Sequence, residues 1–129
     1  MPNRTAVVTG ASRGIGAAIA ARLITEGWRV HNLDIIQPVS ETGVPWIETD
    51  LTEEDSILRA FADILADGPV TGLVNNAGIP NNETLQQTTT DQFDRTVAIN
   101  MRAPMICAQA VVEGMKSAKF GRIVNMSSR

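Results

Sequence analysis

Apolar and polar positions along this chain alternate between two rhythms. Short continuous apolar runs mark strands, and apolar residues recurring every three to four positions mark helices. Residues 4–9 contain Ala6-Val7-Val8 and read as strand one. Ile15, Ala18, Ile19 and Leu23 then recur at helical spacing, which predicts a helix over 14–26 with Gly27 just past its end. Residues 28–35 read as strand two, Trp46 to Thr49 as a short strand three and Gly72 to Asn75 as strand four. The stretch 37–45 carries Pro, Ser and Gly and is too broken for a crossover helix. Thr52-Glu53-Glu54-Asp55 opens a second helix, with acids at the positive end of its dipole. Ile57, Leu58, Phe61, Ile64 and Leu65 form that helix's apolar face, and Gly68-Pro69 stops it. After a polar loop to about Thr90, one long helix is predicted over 91–118, with Phe93, Val97, Met101, Ala108, Val111 and Met115 inward. Arg122 to Met126 read as strand five.

Strands of this kind alternating with helices imply an α/β protein whose parallel sheet is covered on both faces. Right-handed crossovers make it a doubly wound Rossmann sheet with strand order 3-2-1-4-5. Its ligand crevice then lies beyond the carboxyl ends of strands one and four, where the winding reverses. Thr9 to Gly16 falls there, and so does Asn75-Asn76-Ala77-Gly78.

Composition narrows the field without redirecting it. The 129 residues, 43% of them hydrophobic, form one domain (1–129) with a real core. A net charge of −3 with no basic face argues against a nucleic-acid partner. No apolar run approaches membrane-span length, and strand one starts too soon after Met1 to leave room for a signal peptide. Cys107 stands alone, so neither an internal disulfide nor a cysteine-cluster metal site can form. The expectation is a cytoplasmic protein with no bound metal.

The chemistry begins at Thr9-Gly10-Ala11-Ser12-Arg13-Gly14-Ile15-Gly16, a glycine-rich turn between strand and helix. Backbone N–H groups and the helix dipole converge at such a turn, and residues without Cβ let a pyrophosphate approach. Asp34 closes the next strand, where a carboxylate can accept the hydroxyl protons of an adenosine ribose and repel a 2′-phosphate. Arg13 could pair with that phosphate or simply face solvent beside the pyrophosphate, and Ile35 adds no second cation. NAD is therefore expected rather than NADP. His31 reads as a packed side chain, not a base. Pro104 has no N–H to offer the carbonyl of Asn100, four residues earlier, so that carbonyl is predicted to be free to hold a water.

Taken together, these motifs resemble the short-chain dehydrogenase/reductase family along the entire chain. The family's glycine turn matches Thr9 to Gly16, its Asn-Asn-Ala-Gly signature Asn75 to Gly78, and its Ile-Val-Asn-x-Ser-Ser strand Ile123 to Ser128. By resemblance, Asp50-Leu51 contacts the adenine ring, Asn100 is the active-site asparagine, and Ser128 is the catalytic serine that hydrogen-bonds a carbonyl or alcohol oxygen. The resemblance also implies a helical subunit interface, hence a homo-oligomer, and a Tyr-x-x-x-Lys pair about a dozen residues beyond Ser128.

The chain has no tyrosine, and its lysines are Lys116 and Lys119. The expectation is the cofactor-binding part of an NAD-dependent oxidoreductase, inactive by itself and incomplete on its C-terminal side. Three explanations stand, in order: part of a longer enzyme, one half of a split enzyme completed by a C-terminal segment, or a non-catalytic dinucleotide-binding module. Strand five, with no proline or bulge to protect its edge, and Ile99, Ile106, Ala110 and Val112, lying outside the inner stripe, favour an interrupted chain.

Overall fold

Thr5–Thr9 (β1), Arg29–Asp34 (β2), Trp46–Glu48 (β3), Gly72–Asn75 (β4) and Arg122–Asn125 (β5) build one sheet in the order β3-β2-β1-β4-β5. Each of its neighbouring pairs is parallel. This computed structural model describes residues 4–39, 42–80 and 82–127. The sheet order is the one the apolar pattern predicts. It reverses direction between β1 and β4, where Ala6 pairs with Gly72 and Val8 with Val74.

Successive β1 side chains serve opposite faces, as the two-residue period of a strand requires. Val7 joins a core with Leu33, Leu73 and the apolar faces of Glu54–Leu65 (α2) and Ala103–Ala118 (α4). Val8 joins a second core with Val30, Val74 and Ala20 of Gly14–Thr25 (α1). Gly27, at φ +94°, follows α1 as its left-handed terminator. Among the described residues of 37–45 no helix forms.

Two predicted helix faces need correction. In α1 the buried positions are Gly16 and Ala20, with Ile19 and Leu23 half-buried, whereas Ile15 is 67% exposed and Ala18 is also exposed. Ile15 sits on the rim of the cleft described below and not in the core. In α2, Leu58 is exposed, because the core is filled from Ile57, Ala60, Phe61 and Ile64.

The predicted long helix is interrupted. Thr90–Val97 (α3) opens with a reciprocal cap: the Thr89 hydroxyl accepts the Gln92 N–H and the Gln92 side chain accepts the Thr89 N–H. Ala98–Arg102 then widens into a π turn, in which the Ala103 N–H bonds to the Ala98 carbonyl. The wider turn shifts the helical phase. Phe93 belongs to α3, which buries none of its residues, and Met101, inside the π turn, faces solvent. Val97 and Ala108 are half-buried and Val111 and Met115 buried as predicted. Ile99 and Ile106, expected outside the inner stripe, join Ala103 and Cys107 in this chain's own core. A uniform 3.6-residue period could not anticipate this.

Burial pushes the Cys107 thiol up to about 12. At pH 8 it therefore stays protonated, and thiols in that state do not alkylate. Iodoacetamide is expected to label Cys107 only after denaturant unfolds the chain. Rapid labelling without denaturant, followed by mass spectrometry, would show that α4 opens readily.

Candidate functional site

The site is assembled from the turn after β1 and the corner after β4. Gly10 adopts φ +68° and Gly14 φ +61°, a left-handed backbone that glycine enters without Cβ strain. Arg13 occupies the N-cap of α1 with an extended backbone and no capping side chain, and the first turn of the helix carries no acid. The N–H groups that a helix leaves unpaired at its start are thus not answered by a side chain here.

Glycine is needed at Gly16 for another reason. A Cβ there would collide with the Gly10 carbonyl oxygen and lie 2.5 Å from Asn76 Nδ2. Asn76 Nδ2 is itself anchored, donating to the carbonyls of Thr9 and Gly10 at 3.2 Å each. The Thr9 hydroxyl completes the join by accepting the N–H groups of Asn76 and Ala77, both at 3.0 Å. Thr9 is buried, so it fastens one loop to the other and does not line the cleft.

Behind the turn lies a polar cluster. Asp34 is 9% exposed; its Oδ2 accepts the Ser12 N–H and its Oδ1 the Ile36 N–H, each at 3.1 Å. Each carboxylate oxygen has two acceptor sites, so capacity for hydroxyl donors remains. Asn32 accepts the Ala11 N–H and donates to the Ser12 hydroxyl, both at 2.9 Å, and that hydroxyl donates to the Ile36 carbonyl. The indole of Trp46 donates to the Asp34 carbonyl at 2.9 Å, fixing β3 to the same corner.

These parts border a cleft of about 610 Å³. Of the residues singled out in the sequence, Gly10, Arg13, Gly14, Ile15, Gly16, Asp34, Asp50, Leu51, Asn76, Ala77 and Gly78 line it. Thr9 and Ser12 stand behind the wall. Ser128 lies outside the described residues. Sequence reasoning missed Ile36, Thr49, Thr52, Ile79, Arg95 and Ile99 in the lining. Arg95 carried no signal, since a cation on a predicted solvent face is ordinary.

Asp50 Oδ1 accepts both the hydroxyl and the N–H of Thr52, at 2.6 and 2.9 Å. First that hydroxyl and then that N–H hold the Asp50 carboxyl below its ordinary value; burial opposes the shift and Arg95 adds to it. The stabilisation is present above the ordinary carboxylate range and disappears as the pH falls through the lowered value.

Asn100 lies in the π turn, and its side chain clamps the loop after β4. Its Oδ1 accepts the Ile79 N–H at 2.9 Å and its Nδ2 donates to the Ile79 carbonyl at 3.0 Å. A Cβ on Gly78 would come within 3.2 Å of that Oδ1, so a small residue is favoured there. Asn75, one of the asparagines expected to tie strands together, donates to Asn125 Oδ1 at 2.9 Å across β4 and β5. His31 is half-buried in a separate hollow of about 350 Å³ at the amino ends of the strands; burial, then Arg29, lower its pKa, while Asp67 opposes them.

Comparison with known proteins agrees with this geometry. A sequence model described as short chain dehydrogenase matches residues 4–129. An acetoacetyl-CoA reductase of Shinella zoogloeoides is 38% identical, covering 98% of this chain and 55% of that protein. The short-chain dehydrogenase/reductase olcF of Penicillium canescens is 36% identical, over 100% of the chain and 53% of the relative. The chain thus spans about half the length of these relatives. Among solved structures, a metagenomic short-chain oxidoreductase in complex with NADP superposes with a TM-score of 0.91 at 34% identity, covering 98% of this chain and 62% of that one. Ligand-free aldohexose dehydrogenase of Thermoplasma acidophilum gives 0.91 at 31%, over 98% and 49%. With its sheet order, its glycine turn and this match across nearly all its residues, the chain belongs to the short chain dehydrogenase family.

Proposed function

We propose that this chain is the dinucleotide-binding part of an oxidoreductase that moves hydride between NAD(H) and a carbonyl or secondary-alcohol carbon. The observation that carries the reading is convergence on one cleft. The uncapped start of α1, the Asp34 carboxylate and the small residues Ala77 and Gly78 all border it, at the point where the sheet reverses.

The residues present fit a dinucleotide. The Gly10–Gly16 turn would hold the pyrophosphate, Asp34 the adenosine ribose hydroxyls, and Asp50-Leu51 the adenine. Asn76, Ala77 and Gly78 would border the second ribose. When bound, the nicotinamide supplies or accepts the hydride. Ser128 would donate a hydrogen bond to the substrate oxygen, and the Asn100 carbonyl, denied an N–H by Pro104, would hold a water.

A solved relative carries NADP, and the cations Arg13 and Arg95 in the cleft lining favour a 2′-phosphate. Asp34 opposes it, since its negative charge at the ribose end repels phosphate, so NAD is the preferred cofactor. Cytoplasmic location and homo-oligomeric assembly are further parts of the proposal.

These residues include no tyrosine, and so no phenol to exchange the substrate proton. The 129-residue chain is expected to bind NADH, seen by nucleotide fluorescence, without oxidising it in the presence of a ketone. Absence of binding would sink the nucleotide reading. Turnover would mean that another group moves the proton. Binding without turnover in a naturally complete chain would favour a non-catalytic module, and turnover only on adding a second polypeptide a split enzyme.

A further inference from the structure

Asn32 is an amide in β2, between half-buried His31 and buried Leu33, and only 1% exposed. No part of the proposed nucleotide chemistry calls for it. Its bonds give the reason for its presence. The β1–β2 ladder runs through Thr9 opposite Leu33, and the Gly10 N–H still reaches the Leu33 carbonyl at 2.8 Å. The chain then leaves the sheet, and the next N–H, on buried Ala11, has no strand carbonyl to meet. Asn32 Oδ1 takes it.

The other half of the amide reaches further. Asn32 Nδ2 donates to the Ser12 hydroxyl, which donates to the Ile36 carbonyl. The Ser12 N–H donates to Asp34 Oδ2, while Asp34 Oδ1 accepts the Ile36 N–H. Asn32, Ser12, Asp34 and Ile36 therefore form one connected network, closed into a ring through Ser12, Asp34 and Ile36. One side of the ring is the glycine turn and the other is the corner that aims the Asp34 carboxylate into the cleft.

We infer that Asn32 is a positioning residue that sets discrimination between NAD and NADP by fixing Asp34 relative to the glycine turn. A carboxylate held at one place can meet a ribose diol and repel a 2′-phosphate; a carboxylate free to swing does both less well. The inference rests on the nucleotide reading above. Buried polar networks act as a unit, so removing either the Asn32 amide or the Ser12 hydroxyl loosens the same support, leaving Asp34 held by the Ser12 and Ile36 N–H groups alone.

The test is fluorescence titration of the chain with NADH and with NADPH, for the parent and for Asn32→Val, Ser12→Ala and the double variant. Each single variant is expected to lower the ratio of the NADPH to the NADH dissociation constant by about fivefold, the scale of one neutral hydrogen bond. The double variant should lower it little further, because both act through one network. A merely structural role would lower the melting temperature while scaling both affinities alike, and an unchanged ratio would overturn the inference. If Asn32→Val does not fold, Ser12→Ala, which removes one hydroxyl, decides the question by the same ratio. If the parent binds neither nucleotide, the nucleotide reading itself has failed, and that is seen before any variant is made.

Discussion

A Gly16→Ala chain is expected to lose measurable NADH binding and to melt at a lower temperature. The new Cβ would overlap the Gly10 carbonyl oxygen and press on Asn76 Nδ2. Neither neighbour can yield cheaply, since that amide holds the carbonyls of Thr9 and Gly10 against the loop after β4. Relief must come from moving α1 away from the turn, which opens the surface proposed to hold the pyrophosphate. Overpacking of this kind costs about 1–3 kcal/mol, and each kcal/mol lowers the melting temperature by roughly 2–8 °C in domains of comparable size. Gly14→Ala is the informative control. Its Cβ would meet nothing within 4 Å, so only the strain of φ +61° remains, about 1–2 kcal/mol. Gly14→Ala should therefore cost stability while leaving more of the cradle intact. Unchanged melting and NADH affinity in Gly16→Ala would falsify the assignment of this turn as the phosphate cradle.

Asp34→Ala should weaken NADH by about tenfold or more, given that hydrogen bonds to charged groups contribute about 1.5–3 kcal/mol. It should also narrow the gap between NADH and NADPH, because the charge that repels a 2′-phosphate has gone. A structural effect accompanies this, as the N–H groups of Ser12 and Ile36 both lose their acceptor. Leaving a buried donor unpaired costs about 1–3 kcal/mol, so a lower melting temperature is expected as well. Asp34→Asn separates the two effects. Its single amide oxygen can still accept one of the N–H groups, but it carries no charge. If Asp34→Asn shifts the nucleotide preference while melting closer to the parent than Asp34→Ala does, charge sets the preference. If neither variant alters the affinity for either nucleotide, Asp34 does not face the ribose.

Strand positions and sheet order were legible because the central strands β1 and β4 write themselves as short apolar runs, and handedness leaves few topologies for the others. Most of the cleft was legible for a related reason. Its glycines and Asp34 sit at fixed distances from strand ends, so sequence spacing becomes spatial convergence. What escaped depended on partners far away in sequence. Asn32 is one of four polar residues in β2, and nothing in the sequence links it to Ser12. Asn100 draws notice through Pro104 and its backbone carbonyl, yet its side chain clamps Ile79, twenty-one residues earlier. A single helical period anchored on Val111 and Met115 turns Phe93 and Met101 inward, whereas the extra residue of the π turn puts the helix before it out of phase with the helix after it.

The strand order has one more consequence, in time rather than in space. β1 pairs with β2 and with β4, and Ala6 meets Gly72 across the widest sequence gap in the sheet. At about 5–20 residues per second of synthesis, the roughly 40 residues between Asp34 and Asn75 take about 2–8 s to be made. Throughout that interval Ala6-Val7-Val8 has an apolar, β-branched edge with no partner yet synthesised, the kind of segment that pairs with foreign strands. The reversal that opens a ligand cleft between β1 and β4 thus makes the founding strand of the sheet the nascent chain's longest-standing aggregation hazard.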